Sequence, residues 1–207
     1  MRIKRIVNGV ASVLLVAAGL TLLAFYFINP SPENTATNNG DPKGFNVPEV
    51  NPTQGDGREV GGPADKTLKV TIPAMSRVED ANVPDTTGDD EAALKENAAI
   101  HLKGTGFPWQ QESNVYLAGH RLGYPGTDSF LAFYDLNKLE NGDKVFVSDA
   151  EGTRYTYRVF KEFIVDPKEL YVTEPIPGKN VLTLQTCTLP DYTQRIIVQA
   201  ELVNRSA

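Results

Sequence analysis

Short apolar runs separated by turn residues dominate the chain between residues 68 and 203 and limit what it can fold into. Most of these runs are too short for a buried helix, and several alternate apolar with polar side chains, which is the period of a half-buried strand. Asn141-Gly142 and Glu151-Gly152 supply turns between runs. The predicted strands cover residues 68–72, 114–119, 143–148, 154–164, 181–186 and 195–203.

Two segments of this region have helical character. Residues 89–100 are rich in Ala, Leu and Glu and predict a short helix, while residues 129–139 predict a single helical turn. The apolar residues of the second segment are expected in the core: Leu131, Phe133, Tyr134 and Leu136. The sequence therefore predicts an all-β fold with short helices, either a barrel or a sandwich.

The N-terminal part of the chain has the properties of a membrane anchor. Residues 6–28 contain no charged side chain, and a helix of that length spans about 35 Å, which crosses a hydrocarbon core of roughly 30 Å. Basic residues precede it, so residues 1–5 are predicted as a cytoplasmic tail and the C-terminal part as extracellular. The alternative is a cleaved signal peptide, although this run is long and ends in bulky aromatic residues.

Residues 29–66 are rich in Pro, Gly, Asn, Asp and Thr and contain few apolar residues. Such a composition cannot bury a core, so this segment is predicted to be a flexible extracellular linker. As a random coil it reaches on the order of 35 Å. Residues 67–207 then form the predicted folded domain of a single-pass protein of the cell membrane.

Charge and residue content exclude several classes of partner. A formal net charge of −6 offers no basic face to a phosphate backbone, which excludes nucleic acid. One Cys and two His without paired spacings do not provide the four ligands of a closed zinc site, so no metal is expected. A single Cys forms no internal disulfide, which in an exported domain leaves a thiol that is either buried and inert or kept for chemistry.

Cys187 follows the predicted strand 181–186, at the point where a loop begins. Because side chains alternate along a strand, the odd-numbered residues from 181 to 187 share one face and the even-numbered residues share the other. Strand ends and loops on a rigid scaffold are favoured positions for catalytic groups. The plainer interpretation is that Cys187 is a small buried hydrophobic residue.

His120 and Arg195 also lie at ends of predicted strands. A His beside a thiol can protonate a leaving amine, and an Arg can hold a peptide carbonyl or stabilise an oxyanion. Taken singly, each has a plainer interpretation, an inert surface His and an Arg that pins a loop. His101 is interpreted as an inert surface His.

These residues stand in motifs that resemble the sortase family. Residues 117–120 read L-A-G-H, residues 183–187 read T-L-Q-T-C, and Arg195 follows, which is the family's order of His, T-L-x-T-C and Arg. The resemblance runs from about residue 68 to residue 202. It includes Ile72-Pro73 in the opening strand and L-E-N-G-D at residues 139–143.

The resemblance implies an eight-stranded β-barrel with the site at one end. It implies a membrane-anchored cysteine transpeptidase of Gram-positive bacteria that cleaves a C-terminal sorting signal such as L-P-x-T-G between Thr and Gly. The acyl group then passes through a thioester to an amine of the cell-wall precursor. The implied partners are secreted proteins carrying the signal, the peptidoglycan precursor amine and the membrane, and no cofactor is implied.

Residue roles follow from the same resemblance. Cys187 is the implied nucleophile, His120 the general acid for the leaving amine, and Arg195 the group that binds the substrate backbone and stabilises the oxyanion. Thr186 and Ala118 are the implied substrate-binding residues.

The subclass is read from the motif T-L-Q-T-C-T, the following Pro190 and the acidic domain. These are most similar to class E sortases, which prefer L-A-x-T-G, and class F is the near competitor. Two other functions stay open from the sequence: an exported cysteine peptidase that only hydrolyses, and a catalytically inactive β-barrel binding module.

Overall fold

The computed structural model describes residues 61–206. The predicted cytoplasmic tail and membrane anchor, at residues 1–5 and 6–28, lie outside these residues, as does the linker up to residue 60. Within the described part of the chain, no helix has the length and apolar character needed to cross a membrane.

Nine strands of the described region form one sheet, in the order β2-β1-β6-β7-β9-β8-β5-β4-β3. They are β1 (Leu68–Thr71), β2 (Ala81–Val83), β3 (Asp85–Thr86), β4 (Ile100–Leu102), β5 (Asn114–Ala118), β6 (Lys144–Ser148), β7 (Arg154–Val165), β8 (Val181–Cys187) and β9 (Arg195–Ser206). Each strand predicted from the sequence is present, with small shifts at its ends. The prediction of an all-β fold is confirmed.

The two ends of this sheet come from one short segment of the chain, residues 81–86. Its first half, β2, pairs with β1, and its second half, β3, pairs with β4. Pro84 separates the halves because proline has no backbone N–H for a strand ladder. The sheet therefore curls into a nearly closed barrel with nine strands. The expected count of eight is one lower because Pro84 divides this single segment into two short strands.

The helices are few and short in the described region. Helix α1 (Glu91–Glu96) is shorter than the predicted helix at residues 89–100, since Asn97 is already extended and Ile100 belongs to β4. Asp90 caps α1, because its side chain accepts a hydrogen bond from the Ala93 amide at 3.0 Å. The predicted helical turn near residue 136 is present as a 3₁₀ turn, Leu136–Lys138, and a second 3₁₀ turn covers Leu170–Thr173.

Two apolar clusters pack against the two faces of the sheet. The larger cluster fills the barrel and contains Tyr155, Tyr157 and Val159, which places these alternating β7 residues on one inward face. The smaller cluster lies on the other side of β5, β8 and β9, where Leu94 of α1 and Val172 cover it. Strands β5, β8 and β9 lie between the two clusters, and they carry the candidate site residues at their ends or directly after them.

His101 corrects one expectation from the sequence. It is fully buried on β4 rather than inert on the surface. Its ring nitrogens lie 2.8 Å from Asp85 Oδ1 and 2.9 Å from the Gly106 carbonyl oxygen. Because Asp85 and His101 are also register partners in β3 and β4, this side chain joins the two strands that complete the barrel.

Candidate active site

The pairing of three neighbouring strands brings the predicted site residues to one edge of the barrel. Strands β5 and β8 run parallel with Ala118 opposite Gln185, and β8 and β9 run antiparallel with Cys187 opposite Arg195. The Gly119 amide continues the first pairing, because it donates to the Gln185 carbonyl at 3.1 Å. This register places His120 level with Cys187 on the neighbouring strand.

Cys187 is the last residue of β8 and is only 2% exposed. It belongs to the smaller apolar cluster, whereas Leu182 and Leu184 belong to the barrel interior. The predicted alternation along this strand is therefore confirmed. A substrate carbonyl reaches the thiol only where the residues that cover this face give way.

His120 is held by a tightly built loop that follows β5. Its carbonyl accepts a hydrogen bond from the Phe133 amide at 3.3 Å, and its ring makes an edge contact with the Tyr124 ring, with centroids 5.5 Å apart. Gly123 makes the loop possible, since it has a φ of +61° and a Cβ at this position would lie 2.0 Å from the Ser129 carbonyl oxygen. The contact with Tyr124 was not foreseen, because it depends on the path of this loop.

Arg195 is fixed by the hairpin loop between β8 and β9. Its Nη1 donates to the carbonyl oxygens of Tyr192 and Gln194, both at 3.0 Å. Thr188 closes the same loop, because its amide donates to the Gln194 carbonyl at 3.0 Å and its hydroxyl accepts from the Gln194 amide at 3.1 Å. The guanidinium therefore has one edge held by backbone, beside the strand partner Cys187.

The two predicted substrate-binding residues are fully buried. Thr186 faces the barrel side of β8, where its hydroxyl donates to the Gly119 carbonyl at 2.8 Å. This bond ties the residue before the candidate nucleophile to the residue before His120. Ala118 lies in the same apolar cluster as Cys187. A contact of either residue with substrate stays a prediction.

Arg121 is a buried cation at the site that sequence reasoning missed. Its Nη1 lies 3.5 Å from the Cys187 carbonyl oxygen, and its Nη2 donates to Asn137 Oδ1 at 2.6 Å. Its guanidinium also lies 5.7 Å from the centre of the Tyr134 ring. The one signal for it in the sequence is its position directly after His120.

Tyr116 and Gln185 form a buried polar pair beneath the same edge of the sheet. The Tyr116 hydroxyl donates a short hydrogen bond to Gln185 Oε1. Burial raises the pKa of Tyr116 far above its ordinary value, and the positive charge of Arg195 opposes this shift. The phenol therefore stays protonated despite the positive charge of Arg195.

The arrangement has the parts of nucleophilic acyl transfer. A thiol, an imidazole and two guanidinium groups lie at the same edge of β5, β8 and β9. A cation beside a thiol favours the thiolate that attacks carbonyls. Within residues 61–206, no three His, Cys, Asp or Glu side chains gather where they could hold a metal ion.

Comparison with known proteins finds one family. The model of the Sortase domain matches residues 70–203. Sortase A of Streptococcus agalactiae is 40% identical over 92 residues, which cover 44% of this chain and 36% of that protein. The chain thus matches little more than a third of the length of that relative.

Solved structures agree with the family model. Sortase A from Corynebacterium diphtheriae is 26% identical with a TM-score of 0.56, over 67% of this chain and 61% of that chain. Sortase C1 from Streptococcus agalactiae is 31% identical with a TM-score of 0.55, over 66% of this chain and 67% of that chain. Since the matched residues include His120, Cys187 and Arg195, and make up most of the chain, the chain belongs to the sortase family.

Proposed function

We propose that this protein is a cysteine transpeptidase that cleaves a sorting signal of the L-P-x-T-G type between Thr and Gly. The observation that carries the proposal is the register of β5, β8 and β9, which brings His120, Cys187 and Arg195 to one edge of the barrel. One thiol, one general acid and one fixed guanidinium at the same edge of adjacent strands suit acyl transfer through a thioester.

The residues divide the reaction between them. The Cys187 thiolate attacks the Thr carbonyl carbon, and Arg195 stabilises the oxyanion that forms. His120 protonates the amine of the leaving Gly as the C–N bond breaks, which leaves a thioacyl group on Cys187. An incoming amine then attacks the thioester, His120 accepts its proton, and the thiolate leaves as the new amide forms.

Place and partners belong to the same proposal. Residues 6–28 would hold the protein in the cell membrane, and residues 29–66 would tether the catalytic domain on its outer side. The substrates would be secreted proteins with a C-terminal signal, and the acceptor an amine of the peptidoglycan precursor. The motif around Cys187 favours class E and the signal L-A-x-T-G, with class F as the alternative.

The test uses the full-length protein with L-A-x-T-G and L-P-x-T-G peptides and a glycine-based or diaminopimelate-like amine, with products identified by mass spectrometry. We expect a product that joins Thr to the amine, and no product from Cys187→Ala with an unchanged circular dichroism spectrum. The preferred peptide decides the subclass.

Other outcomes select the alternative functions. A free Thr carboxylate at every amine concentration would make the protein a hydrolytic cysteine peptidase, since water would then outcompete the amine. Peptide binding without turnover, equal in wild type and Cys187→Ala, would make it a binding module.

A further inference from the structure

The side-chain NH₂ group of Gln185 is buried and makes no hydrogen bond within the described domain. Gln185 is 1% exposed, and its Oε1 accepts the hydrogen bond from Tyr116. Its Nε2 has no hydrogen-bond partner among residues 61–206. The amide is oriented by its contact with Tyr116: the reverse orientation would leave two groups unsatisfied, the phenol hydrogen and Oε1, whereas the present one leaves only the NH₂ group.

Such a group is costly to keep. A buried donor without an acceptor loses its hydration and gains nothing in return, and native proteins contain few of them. The neighbours on the same face of the sheet are Ala118 on β5 and Ile197 on β9, and neither side chain has an acceptor. The missing acceptor is therefore expected from a molecule that lies over this face.

The position of Gln185 says which part of a ligand would supply that acceptor. Gln185 lies two residues before Cys187 on the same face of β8, which is about 7 Å along the strand. A peptide that lies extended over this face with its scissile carbonyl at Cys187 has a backbone carbonyl at the same distance. That carbonyl belongs to the residue two positions before the one that carries the scissile carbonyl.

We propose that Gln185 is a substrate-binding residue whose amide donates to this backbone carbonyl of the acyl half of the peptide. The assignment rests on the proposed transpeptidase function. In the signal L-A-x-T-G the accepting oxygen is that of the Ala. Since a backbone carbonyl is present whatever the side chain, the bond sets the register of the peptide against Cys187 rather than selecting its sequence.

Tyr116 positions this donor. Its hydroxyl occupies Oε1 of Gln185, which directs the NH₂ group away from Tyr116. Burial keeps the pKa of Tyr116 above its ordinary value, so the phenol is a donor throughout the working range of pH. Arg195 is the strand partner of Cys187, so the two groups assigned to substrate backbone are two residues apart along β8.

The experiment compares a peptide with its depsipeptide, in which an ester replaces the amide between Ala and x of L-A-x-T-G. An ester carbonyl is a weaker hydrogen-bond acceptor than an amide carbonyl. Gln185→Met removes the donor at similar length, and Gln185→Glu serves as a second variant that, when ionised, keeps an acceptor for Tyr116 without a donor. Gln199→Met is the matched control, because Gln199 is buried on the same face of the sheet and its amide already bonds Thr183.

We expect the ester to lower kcat/KM in the wild type and in Gln199→Met, and to have no effect beyond twofold in either Gln185 variant. The Gln185 variants should lose roughly 5- to 150-fold in kcat/KM on the ordinary peptide, the range for an unpaired buried group. The rate of Cys187 alkylation by iodoacetamide should stay unchanged, which separates lost binding from a disturbed site.

Two results would overturn the assignment. An ester penalty in both Gln185 variants equal to that of the wild type would mean that the amide does not contact this carbonyl. An ordinary peptide turned over equally well by all proteins would make Gln185 structural. Failure of the proposed function looks different, because the wild type would then form no ligation product from the ordinary peptide.

Discussion

Under the proposed function, Arg195 combines a structural role with a chemical one. One of its nitrogens is held by the carbonyls of Tyr192 and Gln194, and the side chain is 3% exposed on the strand partner of Cys187. A guanidinium has five donors in a rigid plane, so part of it can bind the loop while another part faces a substrate oxygen. A lysine ammonium group is a point charge and cannot bind the loop and a substrate oxygen with two separate edges.

Arg195→Lys is therefore expected to lower kcat/KM by about 10²- to 10³-fold, as for the loss of an oxyanion donor. The measurement is peptide ligation at several substrate concentrations, beside thermal unfolding that verifies an intact fold. A near-normal rate in a folded variant would mean that Arg195 serves the hairpin loop and not the reaction.

At this scale the sequence was informative where residue type alone is distinctive. His120, Cys187 and Arg195 could be selected because a rare thiol, an imidazole and a guanidinium stood at strand ends. Gln185 and Arg121 could not, since their importance depends on contacts across strands that are far apart in the chain.

Helix α1 packs on the same apolar cluster as Cys187, so its stability bears on the site. Six residues are too few for an independent helix in water, so α1 depends on its cap and on Leu94, which packs in the same cluster as Cys187. The cap is Asp90, which accepts from the Ala93 amide at 3.0 Å and from the Thr86 hydroxyl at 2.8 Å.

Asp90→Ala should lower the free energy of unfolding by about 1 kcal/mol at neutral pH. The backbone hydrogen bond from Ala93 holds the pKa of Asp90 below its ordinary value of 3.8. The carboxylate therefore stabilises the fold above that value, and its contribution is lost as the pH falls through the lower, folded pKa.

Urea unfolding of the wild type and Asp90→Ala from pH 3 to pH 7 measures this difference. The two stabilities should converge at the acid end of the range. A difference that does not change with pH would show that the carboxylate charge has no part in the cap.

At the scale of the whole described region, the seam between β3 and β4, which closes the barrel, is one of the two shortest strand pairings. This seam has two register pairs and two further backbone bonds, from His101 to Pro84 and from Lys103 to Thr86, at 2.9 and 2.8 Å. The buried contact between His101 and Asp85 is its main side-chain link. The barrel should open here before it opens between β8 and β9, which share seven register pairs.

Asp85→Ala should reduce the free energy of unfolding by about 1–3 kcal/mol, because it leaves a buried His101 nitrogen without its acceptor. Hydrogen exchange should speed up at the amides of His101 and Lys103 and stay slow along β8. Asp80→Asn is the control, since the exposed pair of Asp80 with Lys69 should contribute less than about 1 kcal/mol. Equal hydrogen exchange in the wild type and Asp85→Ala would mean that the barrel does not open first between β3 and β4.

The sequence predicted the architecture of the molecule better than its closure. Strand β7 is long enough for alternation to identify it, and β9 was recognised as a continuous apolar run. Strands β2 and β3 have three and two residues, which is below the length at which a period can be read. Their pairing depends on the neighbouring strands β1 and β4, so the sequence alone did not predict how the barrel closes.

The parallel pairing of β5 with β8 also sets the order in which the site can form. His120 follows β5, but its neighbour Cys187 arrives only after β6 and β7, and Arg195 comes with the last strand. Contacts between such distant segments are slow to form, because loop closure precedes any gain from pairing. In a chain that is still folding, His120, Cys187 and Arg195 are therefore apart. We expect the site to be complete only when the hairpin of β8 and β9 has formed.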